Sequence, residues 1–170
     1  MLTNTLFAST LLVAFLSATT AAPPGRGQTC AIKSAKEFCL MLPPKYAGGI
    51  AEHEDSAIAF CTTDKLARQL KARTLPKGFI QSAYFTKGKD WVQVTGLINR
   101  GEYGLSTTDG GGQYDIKAPK WSVCQGYEHY VELVEPDNNM FCFKCCAKKE
   151  DCPVNKSTHG CRKILGGTYV

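Results

Sequence analysis

Apolar residues fall along this chain in three rhythms, and each predicts a different element. Residues 6–16 form one nearly unbroken apolar run. Residues 38–42 make a shorter run, ended by Pro43 and Pro44, which predicts a strand. Over residues 54–70, Ile58, Cys61, Leu66 and Leu70 recur at roughly helical spacing, with no glycine or proline among them. That predicts a helix capped by Asp55 or Ser56, which the polar triplet Thr62-Thr63-Asp64 can split into two. From residue 79 onward, β-branched and aromatic residues dominate. Segments 79–85 and 91–98, joined by Lys87-Gly88-Lys89-Asp90, predict one β-hairpin. Segments 127–135 and 140–145, joined by Pro136-Asp137-Asn138-Asn139, predict a second. Tyr103-Gly104-Leu105 predicts a further short strand, and residues 109–115 a glycine-rich loop. The fold class expected is α+β and β-rich: a small disulfide-stapled single domain with two β-hairpins and one or two short helices.

The first apolar run is too short to span a bilayer, which takes about 20 apolar residues. It has the length of a secretory hydrophobic core, and small residues follow it at positions 17–22. Cleavage is expected after Ala21, with Thr19 and Ala21 as the small residues read by the peptidase. No Lys or Arg precedes the run, which departs from the usual signal pattern. The organisation expected is therefore a signal peptide over residues 1–21, a flexible lead over 22–29 and one domain over 30–170. No later segment is apolar enough to span a membrane, so the expected location is extracellular, in solution or associated with the cell wall.

Cleavage leaves roughly 150 residues, enough for one domain with a real core. The formal net charge is +5. That mild excess favours acidic surfaces such as anionic polysaccharide or headgroups, and lacks the dense basic stripe of a nucleic-acid binder. Lys144, Lys148, Lys149, Lys156, Arg162 and Lys163 gather near the C-terminus, as a basic face or as ordinary solvated surface.

There are nine cysteines. Eight of them, Cys39, Cys61, Cys124, Cys142, Cys145, Cys146, Cys152 and Cys161, are expected to form a disulfide framework. Eight cysteines allow on the order of 100 pairings, so the connectivity stays open. Strand alternation places Cys142 and Cys146 on one face and Cys145 on the other. Their partners would be Cys124, Cys152 or Cys161 nearby, or Cys39 or Cys61 at a distance. Cys30, in the polar lead-in, is the expected free thiol. Cys142 and Cys145 also have the spacing of a redox pair or half a zinc site, which Cys152, His159 and Cys161 could complete. An oxidising compartment disfavours both, and neither metal nor cofactor is expected.

No catalytic set stands out. His53 lies among Glu52, Glu54 and Asp55, a grouping read as a solvated helix start in preference to a metal-binding or acid–base patch. His129 alternates with Tyr127 and Val131 along a predicted strand. Gly110-Gly111-Gly112 lacks the Lys-Ser/Thr pair of a phosphate-binding loop, and Asp109 and Asp115 supply few oxygens for calcium. Trp121, beside Pro119 and Lys120, and Tyr114, beside the glycine run, are the rings expected to face a ligand, with Asp109 and Asp115 alongside. Asn155-Lys156-Ser157 is an N-glycosylation sequon.

Several elements together resemble a group of small secreted cysteine-rich fungal proteins. They are Phe38-Cys39-Leu40-Met41-Leu42-Pro43-Pro44, Trp91-Val92-Gln93-Val94-Thr95-Gly96, Asp109-Gly110-Gly111-Gly112-Gln113-Tyr114-Asp115 and Phe141-Cys142-Phe143-Lys144-Cys145-Cys146, followed by Asp151-Cys152 and Gly160-Cys161. They occur in the same order across most of the chain after the signal segment, and Cys30 lies outside them. The resemblance implies a secreted fungal protein and brings no established activity and no catalytic residues. The function expected is non-enzymatic and extracellular: effector-like, or interacting with a cell wall or host surface through polysaccharide or a host protein. The alternatives are a lectin-like carbohydrate-binding protein and a protease inhibitor. A hydrolase built on a pair such as Glu52 and Glu54 stays open in the absence of geometry.

Overall fold

The computed structural model describes residues 27–154 and 156–170. The signal segment expected over residues 1–21, most of the lead over 22–29 and the sequon's Asn155 lie outside the described residues.

The described residues open with three strands, β1 (Thr29–Cys30), β2 (Ile32–Ser34) and β3 (Glu37–Leu42). After a 3₁₀ turn at Ala51–His53 come β4 (Ile58–Cys61), the helix α1 (Asp64–Leu70) and β5 (Arg73–Thr74). Two long strands follow, β6 (Ile80–Lys87) and β7 (Trp91–Ile98), then β8 (Gly112–Asp115) and β9 (Val123–Cys124). The last strands are β10 (His129–Glu135) and β11 (Met140–Cys146), and α2 (Gly160–Ile164) lies near the C-terminus. Both expected hairpins form, as β6–β7 and β10–β11. They join through β7 and β11 into a five-stranded antiparallel sheet of order β6-β7-β11-β10-β8. A second sheet runs β2-β3-β4-β5, and β1 pairs in parallel with β9.

The five-stranded sheet buries both faces, and alternation decides what goes where. On one face Phe141, Phe143 and Cys145 of β11, with Tyr130 and Val134 of β10, meet the second sheet. Phe38 of β3 stacks on Phe141 there, ring centroids 5.5 Å apart. On the other face Val131, Leu133, Cys142 and Cys146 are covered by the C-terminal segment through Cys152, Cys161 and Tyr169. The disulfides follow these faces. Cys145 bonds Cys124 on the inner side, while Cys142 bonds Cys161 and Cys146 bonds Cys152 beneath the C-terminal cover. Cys39 and Cys61 face each other across β3 and β4 and bond together. A distant link from either of them to the C-terminal hairpin, open from sequence, is thereby excluded.

Three expectations need correction. Residues 58–61 are not helical: all four side chains of β4 are buried, and a strand buried on both faces shows an unbroken apolar run rather than alternation. The helix begins only after Thr63, whose side chain accepts a hydrogen bond from the Leu66 N–H. Thr63→Ala is expected to cost about 1 kcal/mol, read as a lowered urea midpoint. Around Tyr103 the chain forms a 3₁₀ turn (Arg100–Tyr103) instead of a strand, because the Asn99 side chain accepts from Gly101 N–H and Gly104 closes the turn at φ +66°. Finally, the end of the expected lead is tied down. Gln28 is buried, its Oε1 accepts from Ala59 N–H at 3.1 Å, and its carbonyl accepts from Val123 N–H at 2.9 Å.

Candidate functional site

Two neighbouring features depart from ordinary surface: a loop that holds a tryptophan in solvent, and a polar cleft along strand β8. The loop is built by consecutive turns. Asp115 and Ala118 exchange backbone hydrogen bonds, and Asp115 Oδ1 accepts from Lys117 N–H at 2.7 Å. Ser122 N–H donates to the Pro119 carbonyl at 3.1 Å, and the buried Ser122 hydroxyl lies 2.6 Å from both the Pro119 carbonyl and the Tyr130 hydroxyl. Between these anchors Trp121 takes φ +68° and is 73% exposed. A bulky residue in the left-handed region is disfavoured, and burial of the ring gives no compensation here. Ile116 and Val123 are also exposed on this stretch, with Lys117 and Lys120 between them.

The cleft has a volume of about 580 Å³ and lies within the range of small-ligand sites. Gly110, Gly111 and Gly112 form one wall; Glu54, Gln113, Asp115, Lys117, Glu135 and Thr158 supply its polar side chains. Glycine is required at Gly111, which has φ +89° and whose Cβ would collide with the Val134 carbonyl oxygen. Gln113 donates from Nε2 to Asp115 Oδ2 at 2.8 Å and to the Val154 carbonyl at 2.7 Å. Its Oε1 is buried without a hydrogen-bond partner among the described residues. Glu135 Oε1 accepts from Cys161 N–H at 3.3 Å, and burial raises this carboxyl above the usual range despite that bond. Beyond Lys117 and Val154 the cleft continues into a second hollow beside Lys149 and Lys156.

The residues singled out in the sequence fall unevenly around these features. Trp121 is exposed as expected of a contact ring. Tyr114 is not: it is fully buried, and its hydroxyl donates to the Ile50 carbonyl at 3.1 Å. It alternates to the core side of β8, which the glycine-rich sequence around it did not reveal. Asp109 is occupied structurally, with Oδ2 accepting from Ile50 N–H at 2.9 Å and Oδ1 from Gly111 N–H at 2.9 Å. Asp115 lines the cleft but is largely buried, each oxygen already holding a donor. No group of three His, Cys, Asp or Glu side chains suited to a metal occurs among the described residues. Cys142 and Cys145 point to opposite faces of β11 in separate disulfides, so their spacing builds neither a redox pair nor a zinc half-site. Cys30 is a buried thiol that donates to the Val123 carbonyl at 3.3 Å, and burial raises its pKa well above the ordinary thiol value. Both properties oppose pairing with another molecule. Glu52 and Glu54 line different hollows rather than converging.

The C-terminal basic residues are partly spent within the fold. Lys144 lies over the Trp91 ring at 4.2 Å, Arg162 over Tyr169 at 4.9 Å, and Lys148 pairs with Asp90 at 3.0 Å. Gln113 and Glu135 were missed by sequence reasoning. Gln113 lay within a noticed motif, but nothing in the sequence distinguished Glu135 from other strand carboxylates.

No family model matches the chain. No solved structure matches it either. It is 40% identical over 88 residues to appressorium protein ROW1 of Mycosarcoma maydis, a match covering 52% of this chain and 20% of that protein. It is 27% identical over 158 residues to appressorium protein ROW2 of the same fungus, covering 82% of this chain and 53% of that protein. The chain thus spans about half the length of one relative and a fifth of the other. It is homologous to these fungal proteins, and together with its four disulfides this bears out the resemblance to cysteine-rich fungal proteins without established activity. The disulfide-rich fold and the relatives are compatible with secretion. No helix among the described residues is long and apolar enough to cross a membrane.

Proposed function

We propose that this chain is a secreted, non-enzymatic protein that binds polymeric material at the surface of the fungal or host cell, with loop 116–123 as its contact face. In this reading residues 1–21 are removed as a signal peptide, residues 30–170 act as one domain, and Asn155 carries a glycan. The observation that carries the reading is Trp121, a large ring kept in solvent by a left-handed backbone whose flanks are fixed by buried hydrogen bonds. A fold gains nothing from that arrangement, whereas a binding surface gains an aromatic anchor presented on a fixed backbone. Lys117 and Lys120 add a cationic rim suited to acidic surface polymers. The appressorium relatives, proteins named for a fungal infection structure, support an effector-like role at the contact between fungus and host.

The test is co-sedimentation of the secreted, disulfide-intact protein with washed fungal and host wall material. Retention that falls with rising salt is expected, because a cationic rim is screened. Absence of retention on both materials would remove the reading.

A further inference from the structure

We infer that the cleft beside β8 is a binding site for a neutral saccharide unit, held by acceptors that receive the sugar's hydroxyl protons. This deepens the surface-binding reading and rests on it for the choice of an extracellular ligand. The inference starts from the supply of hydrogen-bonding groups. Gln113 has both amide hydrogens committed, to Asp115 and to Val154, which fixes its orientation and leaves Oε1 as a buried acceptor without a donor. An unsatisfied buried acceptor costs stability unless something outside the protein fills it. Glu135 uses Oε1 on Cys161 N–H, and its Oε2 has no hydrogen-bond partner among the described residues. Glu54 brings a further carboxylate at the mouth, where its side chain is exposed.

The cleft also offers donors, in the Lys117 ammonium and the Thr158 hydroxyl, so a ligand whose hydroxyls both donate and accept complements the lining. A divalent cation is a poor match, because these carboxylates do not assemble into a coordinating group. A sugar ring fits: it offers several O–H donors, and the side-chain-free wall of Gly110–Gly112 lets it approach the backbone closely. The space, about 580 Å³, accommodates one or two sugar rings. Asp115 and Lys117 line the cleft and begin the loop that carries Trp121, so the two features adjoin along the chain.

The experiment is titration of the ¹⁵N-labelled, disulfide-intact protein with β-linked glucose and β-linked N-acetylglucosamine oligosaccharides, followed by amide chemical shifts. At millimolar sugar at least one of the two is expected to shift the backbone amides of Gly110–Gly112 and the side-chain amide of Gln113. Glu54→Leu, at an exposed position, and Gln113→Leu are each expected to weaken binding about tenfold. Trp121→Ala is expected to reduce retention on wall material while leaving the glycine shifts in place, which separates this site from the loop. No shift at the glycines with either sugar, or unchanged affinity in the folded Glu54→Leu variant, would overturn the cleft assignment. Failure of the wild type to be retained on wall material, with the glycine shifts present, would count against the loop and not against the cleft.

Discussion

Replacing Cys142 and Cys161 together by alanine is expected to destabilise the protein by about 3 kcal/mol, the chain-entropy value for a loop of this length. Their disulfide closes a sequence separation of 19 residues and lies beneath the outer cover of the five-stranded sheet. Without it the segment after Cys152 is held to the sheet by packing and side-chain hydrogen bonds, two of them near its end. Thr168 N–H donates to Thr95 Oγ1 at 3.2 Å, and Gln93 Nε2 donates to the Leu165 carbonyl at 3.2 Å. Val131 and Leu133 then become accessible from that face. The expected outcome is a lowered urea midpoint, together with faster amide exchange confined first to residues 160–170. The Cys146–Cys152 bridge spans a separation of only 6 residues, so its removal is expected to cost less. Equal protection of the C-terminal segment in wild type and the double variant would show that packing alone holds the cover.

The second large effect is a dependence of stability on pH through Glu132. Its carboxyl is fully buried in the core between the sheets, and both oxygens accept from Met41 N–H, at 2.9 and 3.0 Å. Burial raises its pKa well above 4.5, and that one backbone hydrogen bond only partly opposes the rise. No cation pairs with it among the described residues. A folded-state pKa above the unfolded value means that the unfolded chain releases the proton first. The group's contribution to stability is therefore fully present below the unfolded pKa, and it is lost as pH rises toward and through the folded value. Glu135, also raised, acts with the same sign from its less buried position. Unfolding free energy measured in urea is expected to be higher at about pH 4 than at about pH 8. Glu132→Gln keeps an acceptor for Met41 and cannot ionise, so most of that difference is expected to disappear. An identical pH profile in the variant would place the dependence elsewhere.

How far the sequence carried the fold depended on local patterning. The hairpins β6–β7 and β10–β11 were legible because each half carries a strand-length apolar run and each turn is polar. The separation of Cys145 from Cys142 and Cys146 followed from a period of two along one strand. What was lost was whatever depended on tertiary context. The run Ile58-Ala59-Phe60-Cys61 matched helical spacing by chance, and its central place in the second sheet is set by pairing with β3 and β5. Tyr114 looked like a presented ring until pairing of β8 with β10 turned it inward. The cleft joins residues that are distant in the chain, Glu54, Gln113, Glu135 and Thr158, and no local pattern announces such a set. Trp121 was legible as an exposed residue because proline and lysine neighbours mark an exposed loop, but its left-handed backbone was not.

The most direct measurement compares the dissociation constants of Trp121→Ala and Tyr46→Ala on the wall material that retains the wild type. Tyr46 is an exposed ring of similar accessibility, 68%, in a different part of the fold, where its edge meets Tyr103 at 5.9 Å. If the loop is the contact face, Trp121→Ala raises the dissociation constant by about thirtyfold, equivalent to ~2 kcal/mol for a central aromatic anchor. Tyr46→Ala then binds as the wild type does. Equal binding by both variants and the wild type would contradict the account.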